Sequence, residues 1–176
     1  FVEVPLRQII SRSYAKKLRS LILPEKSLHT KIEELDKHMS PLKEESSETT
    51  HFSIMDDEGN VVVSTQTING YLGSGLVVPG TGIVMNNEMD DFAAKVGGSN
   101  LFGAIGGKNN LVAPKKRPLS SMSPTIVLKK NEPVFAVGAP GGTRIITCVI
   151  QTLLNYFDFH FNLYKTLAAT RINHSI

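Results

Sequence analysis

Apolar residues near the N-terminus recur at helical spacing, at Leu6, Ile9, Ile10, Leu18 and Leu21, and the basic residues fall largely elsewhere. This pattern predicts an amphipathic helix over residues 5–22 that ends before Pro24. From 24 to 48 the chain is polar and charged, which predicts an exposed linker with one short helix around 32–37.

After residue 50 the pattern changes to short β-rich runs separated by turn residues. Runs 51–55 and 61–67 flank the turn sequence 56–60 and predict a hairpin. A short strand is expected at 83–85, and a second strand pair at 124–129 and 134–137, with its turn at 130–132.

Two glycine-rich stretches interrupt these strands. Residues 69–82 predict a loop or bulged strand, and 97–114 is long enough for a functional surface loop or lid. Glycines at 138–143 then open a predicted helix to about Phe157, and a second is expected over 163–170. Strands followed by helices indicate an α+β or layered sandwich fold.

Composition narrows the function classes. The 176 residues are 41% apolar, enough for one domain with a core, and the net charge of +3 comes with only 7% aromatic residues and no Trp. This argues against a nucleic-acid partner.

No run of about 18 apolar residues occurs, so no membrane span is expected. The single Cys148 lies in an apolar stretch and is expected to be a buried structural thiol. Because the first residue is Phe1, we expect a piece of a longer product.

Thr49 is the first candidate catalytic residue, because it stands where the polar linker meets the first strand. Self-cleavage before Thr49 would free an α-amino group with a pKa near 8, which can act as general base for the threonine hydroxyl. An ordinary strand start is the alternative interpretation, since threonine is common in strands.

Three further segments have the composition of a binding site. The acidic run 86–91 suits an ammonium group, although it would equally serve as a solvated turn. Hydroxyls and backbone N–H groups of 117–125 suit a carboxylate, or form a Ser/Pro turn. Gly141 and Gly142 offer paired N–H donors for an oxyanion, or simply start a helix. Together the segments fit acyl transfer from a γ-glutamyl group, which carries both α-amino and α-carboxylate groups.

The order of these segments along the chain resembles that of the γ-glutamyltransferase (glutathione hydrolase) family, at the junction of its large and small subunits. The resemblance covers nearly the whole chain and rests on TTHFS at 49–53, 56–63, TQTIN at 65–69, NNEMDDF at 86–92, KRPLSSMSPT at 116–125 and PGGTRII at 140–146. It implies a partial N-terminal nucleophile (Ntn) hydrolase fold, an αββα four-layer sandwich. Residues 1–48 would end the large subunit, and 49–176 would begin the small catalytic subunit.

The resemblance also implies residue roles. Thr49 would direct autocatalytic cleavage and then act as nucleophile, with Thr67 contacting it. The other implied roles are the α-amino site (Asn69, Glu88, Asp91), the α-carboxylate site (Ser120, Ser121) and the oxyanion donors (Gly141, Gly142). Phe102 stands at the position where some bacterial members of the family have a lid tyrosine. An arginine that grips the donor carboxylate would come from the absent part of the large subunit, so the isolated chain is expected to be inactive.

The implied partners are glutathione or another γ-glutamyl donor, water or an amino acid or peptide acceptor, and the remainder of both subunits, with no metal or organic cofactor. The parent protein is expected to be periplasmic, secreted or on the cell surface. Two alternatives stay open: a non-catalytic fragment or pseudoenzyme of the same fold, and an N-terminal threonine amidase with another substrate.

Overall fold

The computed structural model describes residues 4–21 and 49–173. The chain separates into two units, Phe1–Glu44 and Glu45–Ile176, and every strand of the described residues belongs to the second. The predicted linker and the predicted short helix around 32–37 lie outside the described residues.

The predicted single N-terminal helix is two helices, so that prediction was wrong. Helix α1 is Leu6–Ile9 and helix α2 is Arg12–Leu21. Ser11 separates them: its Oγ donates to the carbonyl of Gln8 at 2.8 Å and accepts from the N–H of Tyr14 at 3.1 Å. A serine that satisfies a free N–H in this way starts a new helix, which the apolar periodicity alone does not reveal.

The first predicted hairpin is confirmed. Strands β1 (Thr50–Met55) and β2 (Val61–Gln66) pair antiparallel from Thr50↔Gln66 to Met55↔Val61. The Asp56 carboxylate accepts from the N–H groups of Glu58 and Asn60 and from the Asn60 side chain. The Asn60 side-chain hydrogen bond, followed by these backbone bonds, lowers the pKa of Asp56. This fixed turn sets the register of the hairpin.

The second hairpin consists of β3 (Thr125–Lys129) and β4 (Glu132–Val137). Strand β4 begins two residues earlier than predicted, because Lys130 and Asn131 alone make the turn. Both have positive φ, 54° and 68°, as a two-residue type I′ turn requires. The register shifts between Val127 and Leu128, opposite Pro133, which has no N–H to give to the ladder. Strand β2 contacts both strands of this hairpin.

Between the hairpins the chain is mostly irregular. The prediction of a strand at 83–85 was wrong, since only a single bridge, Val77↔Val84, forms there. Gly73 has a positive φ of 54°, and a β-carbon there would overlap the Met85 carbonyl, so close approach of the two segments needs glycine. Two short 3₁₀ helices follow, at Glu88–Asp91 and Lys108–Asn110.

The C-terminal part is helical, as predicted. A 3₁₀ turn at Gly142–Arg144 leads into α3 (Ile145–Phe157), and α4 is Leu163–Ala168, two residues shorter than expected. Side chains of Ile145, Val149, Thr152 and Thr166 are buried between these helices and the rest of the unit. Cys148 is half-buried on α3, so the expected full burial of this thiol was wrong. No helix among the described residues is long and apolar enough to cross a bilayer.

Ile145 provides a test of this packing, because its side chain is 1% exposed whereas that of its neighbour Ile146 is 46% exposed. We predict that Ile145→Ala lowers the free energy of unfolding by about 2–5 kcal/mol, through lost burial and a cavity. Ile146→Ala, the matched control, should cost clearly less. Urea denaturation of both variants checks this, and equal losses would show that Ile145 is not the packing centre of α3.

Candidate active site

One small cavity brings together most of the residues singled out in the sequence. Its volume is about 20 Å³, and it is lined by Thr49, Thr67, Asn69, Asp91, Phe102, Ser120, Ser121, Met122, Gly142 and Ile145. Glu88 and Gly141 do not line it, although each belongs to a segment that does. Seven of the nine predicted site residues, which are spread over 94 positions of the chain from 49 to 142, therefore line one cavity.

The register of the first hairpin places Thr49 beside Thr67. Thr50 pairs with Gln66, so the residue before the first strand and the residue after the second lie at the same end of the ladder. The Oγ1 atom of Thr67 accepts from the N–H of Asn69 at 2.9 Å. Because that bond uses one oxygen lone pair, the hydroxyl proton of Thr67 stays available for the neighbouring threonine.

Asn69 is held in a strained position at the cavity wall. It is 2% exposed and has a φ of 75°, a left-handed conformation that asparagine tolerates better than most residues. Its Nδ2 donates to the carbonyl of Asn87 at 3.2 Å, and the Asn87 side chain accepts from the N–H of Gly70 at 2.8 Å. This pair of bonds ties the segment after β2 to the acidic run.

Two carboxyl groups of the acidic run form a coupled pair. Glu88 and Asp91 lie three residues apart on a 3₁₀ helix, where such residues stack on one face. Burial and the neighbouring Asp91 raise the pKa of Glu88 to about 7, and burial also raises the pKa of Asp91. The side-chain amide of Asn100 donates to Asp91 Oδ1 at 3.3 Å. The site is thus poised to take up a positive charge near neutral pH.

The two serines have different contacts. Ser121 is half-buried, and its Oγ donates to the carbonyl of Gly142 at 2.8 Å. Ser120 is exposed, and its Oγ accepts from the N–H of Met122 at 3.2 Å. Ser121 therefore links the serine segment to the glycine turn, whereas Ser120 keeps its hydroxyl proton for a ligand.

The glycine turn presents unused donors. Gly141 and Gly142 have φ values of 129° and 53°, which favour glycine. Among the described residues, neither N–H has a hydrogen-bond acceptor. Such paired N–H groups at the start of a helix are suited to an oxyanion.

His51 connects the glycine segment to the first strand. A β-carbon on Gly138 would overlap the His51 ring, so the absence of a side chain there lets the two segments meet. His51 Nδ1 lies 2.8 Å from Thr65 Oγ1, and burial lowers the pKa of the imidazole. This contact holds the start of the glycine segment against the strand that follows Thr49.

Phe102 covers the cavity from the loop predicted to be a lid. A β-carbon on Gly142 would come within 3.1 Å of the Phe102 ring. Asn100 shapes the loop: its Oδ1 accepts from the N–H groups of Phe102 and Ala104, and Asp90 accepts from the N–H of Leu101. The cavity has room for about one water molecule.

Sequence reasoning missed the carboxamides that position these segments, Asn87, Asn100 and Asn110, and the apolar wall residues Met122 and Ile145. The asparagines occur in glycine-rich stretches that predict loops in general, so only their contacts reveal their part. Among the described residues, no group of three or more His, Cys, Asp or Glu side chains is placed to bind a metal ion.

Comparison with known proteins finds one family along the whole chain. The family model described as Gamma-glutamyltranspeptidase matches residues 1–176. A glutathione hydrolase proenzyme from Pseudomonas sp. (strain A14) is 44% identical over 98% of this chain. A crystal structure of the Helicobacter pylori gamma-glutamyltranspeptidase T380A mutant matches with a TM-score of 0.69 and 48% identity, over 72% of this chain and 68% of that one.

The match to whole proteins is partial. The chain spans 29% of the length of the Pseudomonas proenzyme. A relative from Arabidopsis thaliana, glutathione hydrolase 4, whose name describes it as inactive, is 46% identical over 73% of this chain and 68% of its own length. Sequence similarity of this degree therefore extends to a protein named as non-catalytic.

The Glu88–Asp91 pair predicts a pH dependence of stability. The pKa of Glu88 is raised from 4.5 to about 7 on folding, so the stabilisation by the bound proton is complete below pH 4.5 and is lost as the pH rises through about 7. We predict that, as the pH rises from 4.5 through about 7, the free energy of unfolding of the unmodified protein falls relative to that of the Glu88→Gln variant. Urea denaturation at several pH values measures it.

Glu58→Gln, in the exposed turn of the first hairpin, is the matched control. The difference in free energy of unfolding between this variant and the unmodified protein should stay constant over the same pH range. A constant difference between the unmodified protein and Glu88→Gln from pH 4.5 to pH 7 would contradict the coupled pair.

Proposed function

Because this chain belongs to the gamma-glutamyltranspeptidase family, we propose that it carries the catalytic residues of an enzyme that transfers γ-glutamyl groups. The donor is glutathione or a related γ-glutamyl amide, and the acceptor is water, an amino acid or a peptide. The observation that supports this most is the cavity in which Thr49 meets Thr67, Asn69, Asp91, Ser121 and Gly142.

Activation of the nucleophile begins with cleavage of the peptide bond between Glu48 and Thr49. The freed α-amino group, with an ordinary pKa near 8, accepts the proton of the Thr49 hydroxyl. The Thr67 hydroxyl, oriented by its bond from the N–H of Asn69, donates to the Thr49 oxygen and steadies it.

Acyl transfer then follows in two steps. Thr49 Oγ1 attacks the γ-carbonyl carbon, the amide C–N bond breaks, and the α-ammonium of Thr49 gives its proton to the departing amine, cysteinylglycine when the donor is glutathione. An acyl-enzyme ester remains. Water or an acceptor amine loses a proton to the same amino group and attacks the ester, which releases Thr49 and the γ-glutamyl product.

The donor is recognised at its α-carbon. Asp91, Glu88 and Asn69 surround the α-ammonium. Ser120 donates its hydroxyl proton to the α-carboxylate, and Ser121, whose own proton goes to the Gly142 carbonyl, holds the serine segment beside that group. Burial raises the pKa of both acidic side chains, so the ammonium replaces the proton that the pair holds near neutral pH. This orientation directs the γ-carbonyl towards Thr49.

Gly141 and Gly142 stabilise the tetrahedral intermediate through their N–H groups, which have no acceptor among the described residues. A γ-glutamyl group is larger than the cavity of about 20 Å³. We propose that the loop that carries Phe102 moves away from Gly142 when the donor binds.

The chain acts together with other parts of its protein. We place residues 1–48 at the end of a large subunit and 49–176 at the start of a small subunit, whose paired sheets complete an αββα sandwich. An apolar groove of about 430 Å³ beside β1, β4 and α3 supports this, as do the exposed Ile54, Met55 and Val62. The family resemblance assigns the arginine that grips the donor carboxylate to a part of the large subunit outside these residues, so we propose that the isolated chain is inactive.

A non-catalytic role is the second candidate. The observation that favours it is the similarity to the Arabidopsis relative named as inactive. Such a protein would keep the cavity but neither cleave itself nor turn over a donor, so the experiments below separate the two candidates.

One prediction of the proposed function concerns Thr49. In the full-length protein that carries this chain, the polypeptide is expected to split between Glu48 and Thr49. Intact mass and N-terminal sequencing detect the cut. Thr49→Ala should abolish the cut and lower hydrolysis of L-γ-glutamyl-p-nitroanilide by at least about three orders of magnitude.

Thr50→Ala, at the neighbouring threonine that does not line the cavity, is the control and should still split at the same bond. A folded, uncleaved parent protein with no turnover would support the non-catalytic candidate instead.

Another prediction distinguishes the roles of Ser120 and Ser121. Ser121→Ala removes the bond to the Gly142 carbonyl and frees the oxyanion turn, so kcat should fall by about tenfold or more. Ser120→Ala removes a ligand donor and the local bond from the Met122 N–H, but no bond to the glycine turn, so it should raise KM for the donor with a smaller change in kcat. Steady-state kinetics on both variants measures this, and identical kcat values would contradict the link to the turn.

A further inference from the structure

Asn110 joins two segments that the proposed mechanism uses for the two charged groups on the α-carbon of the donor. It ends the 3₁₀ helix Lys108–Asn110 and is half-buried. Its Nδ2 donates to the Asp91 carbonyl at 2.7 Å, and its Oδ1 accepts from the N–H of Leu119 at 2.9 Å. Because a carbonyl only accepts and an N–H only donates, these two partners fix which way the carboxamide points.

The backbone of Asn110 is held as firmly as its side chain. Its carbonyl accepts from the N–H of Ala93 at 2.9 Å, and Ala93 forms a parallel bridge with Leu111. Ala93 is buried, and a β-carbon on Gly106 would overlap its side chain, so the surrounding backbone is closely packed. Asn110 is therefore a rigid cross-link from the acidic turn to the residue before Ser120.

A donor with an α-ammonium and an α-carboxylate carries both charges on one carbon. The groups that bind them must then stand at one fixed separation, since a site that is too wide or too narrow satisfies only one of the two. Asp91 lies at one end of the Asn110 cross-link, and Ser120 follows Leu119 at the other.

We propose that Asn110 is a positioning residue that sets the distance between the α-amino and α-carboxylate halves of the donor site. The proposal rests on the proposed function. Asn110 does not line the cavity that contains Thr49, and it acts through Asp91 and Ser120. It therefore governs preference for donors that carry both groups, rather than the rate of bond cleavage.

The test compares three anilide substrates in the full-length protein: L-γ-glutamyl-p-nitroanilide with both groups, glutaryl-p-nitroanilide without the amine, and 4-aminobutyryl-p-nitroanilide without the α-carboxylate. In Asn110→Ala, kcat/KM for the two-group donor should fall roughly five- to tenfold more than for either one-group donor, the effect of one or two lost hydrogen bonds. The loss should appear mainly in KM.

Asn109 is an exposed neighbour on the same 3₁₀ helix, and Asn109→Ala is the matched control. It should leave kcat/KM for each of the three substrates within about twofold of the value for the unmodified protein. If Asn110→Ala does not fold, Asn110→Asp gives the same comparison. It is isosteric and keeps an oxygen for the Leu119 N–H, while its other oxygen faces the Asp91 carbonyl and repels it.

A proportional loss for all three donors would overturn the proposal and give Asn110 a general structural role, as would no loss at all. If the unmodified protein cleaves no γ-glutamyl donor, the proposed function fails first, and the positioning role fails with it. If the unmodified protein is active and the Asn110 variants match Asn109→Ala, the positioning role alone fails.

Discussion

The register of the first hairpin is the constraint on which the site depends. A turn held by the Asp56 carboxylate pairs Thr50 with Gln66, and this pairing brings Thr49 next to Thr67. A slip by one residue would turn every side chain of one strand to the other face of the sheet. His51 would then leave Gly138, and the segment before the glycine turn would lose its contact with the strand that follows Thr49.

The rest of the cavity is assembled by side-chain amides rather than by regular structure. Between the two hairpins few backbone groups pair in ladders, so asparagines supply the cross-links. Asn87 joins the segment after β2 to the acidic run, Asn100 joins the lid loop to Asp91, and Asn110 joins Asp91 to the serine segment. A carboxamide suits this task because it donates and accepts at once, and it can therefore bridge two backbones.

Local signals in the sequence predicted the hairpins, the glycine turn and helix α3, because turn residues and periodicity act over short distances. The chemistry of the residues singled out Thr49, the acidic run, the serine segment and the glycine turn. The family resemblance added Thr67 and Asn69 and gave the individual residues their roles. The two-helix N-terminus and the missing strand at 83–85 were mispredicted, since a Ser11 cap and a missing strand partner depend on contacts that periodicity does not contain. The asparagine cross-links were missed for the same reason.

The central claim is that Thr49 carries the γ-glutamyl group during turnover. Rapid acid quenching of the full-length protein with a γ-glutamyl donor, followed by peptide mass spectrometry, tests it directly. The account predicts a peptide that begins at Thr49 and is heavier by one γ-glutamyl group, and it predicts that the adduct disappears when an acceptor amine is added. Turnover of the donor with no such adduct on Thr49, or with the adduct on another residue, would contradict the account.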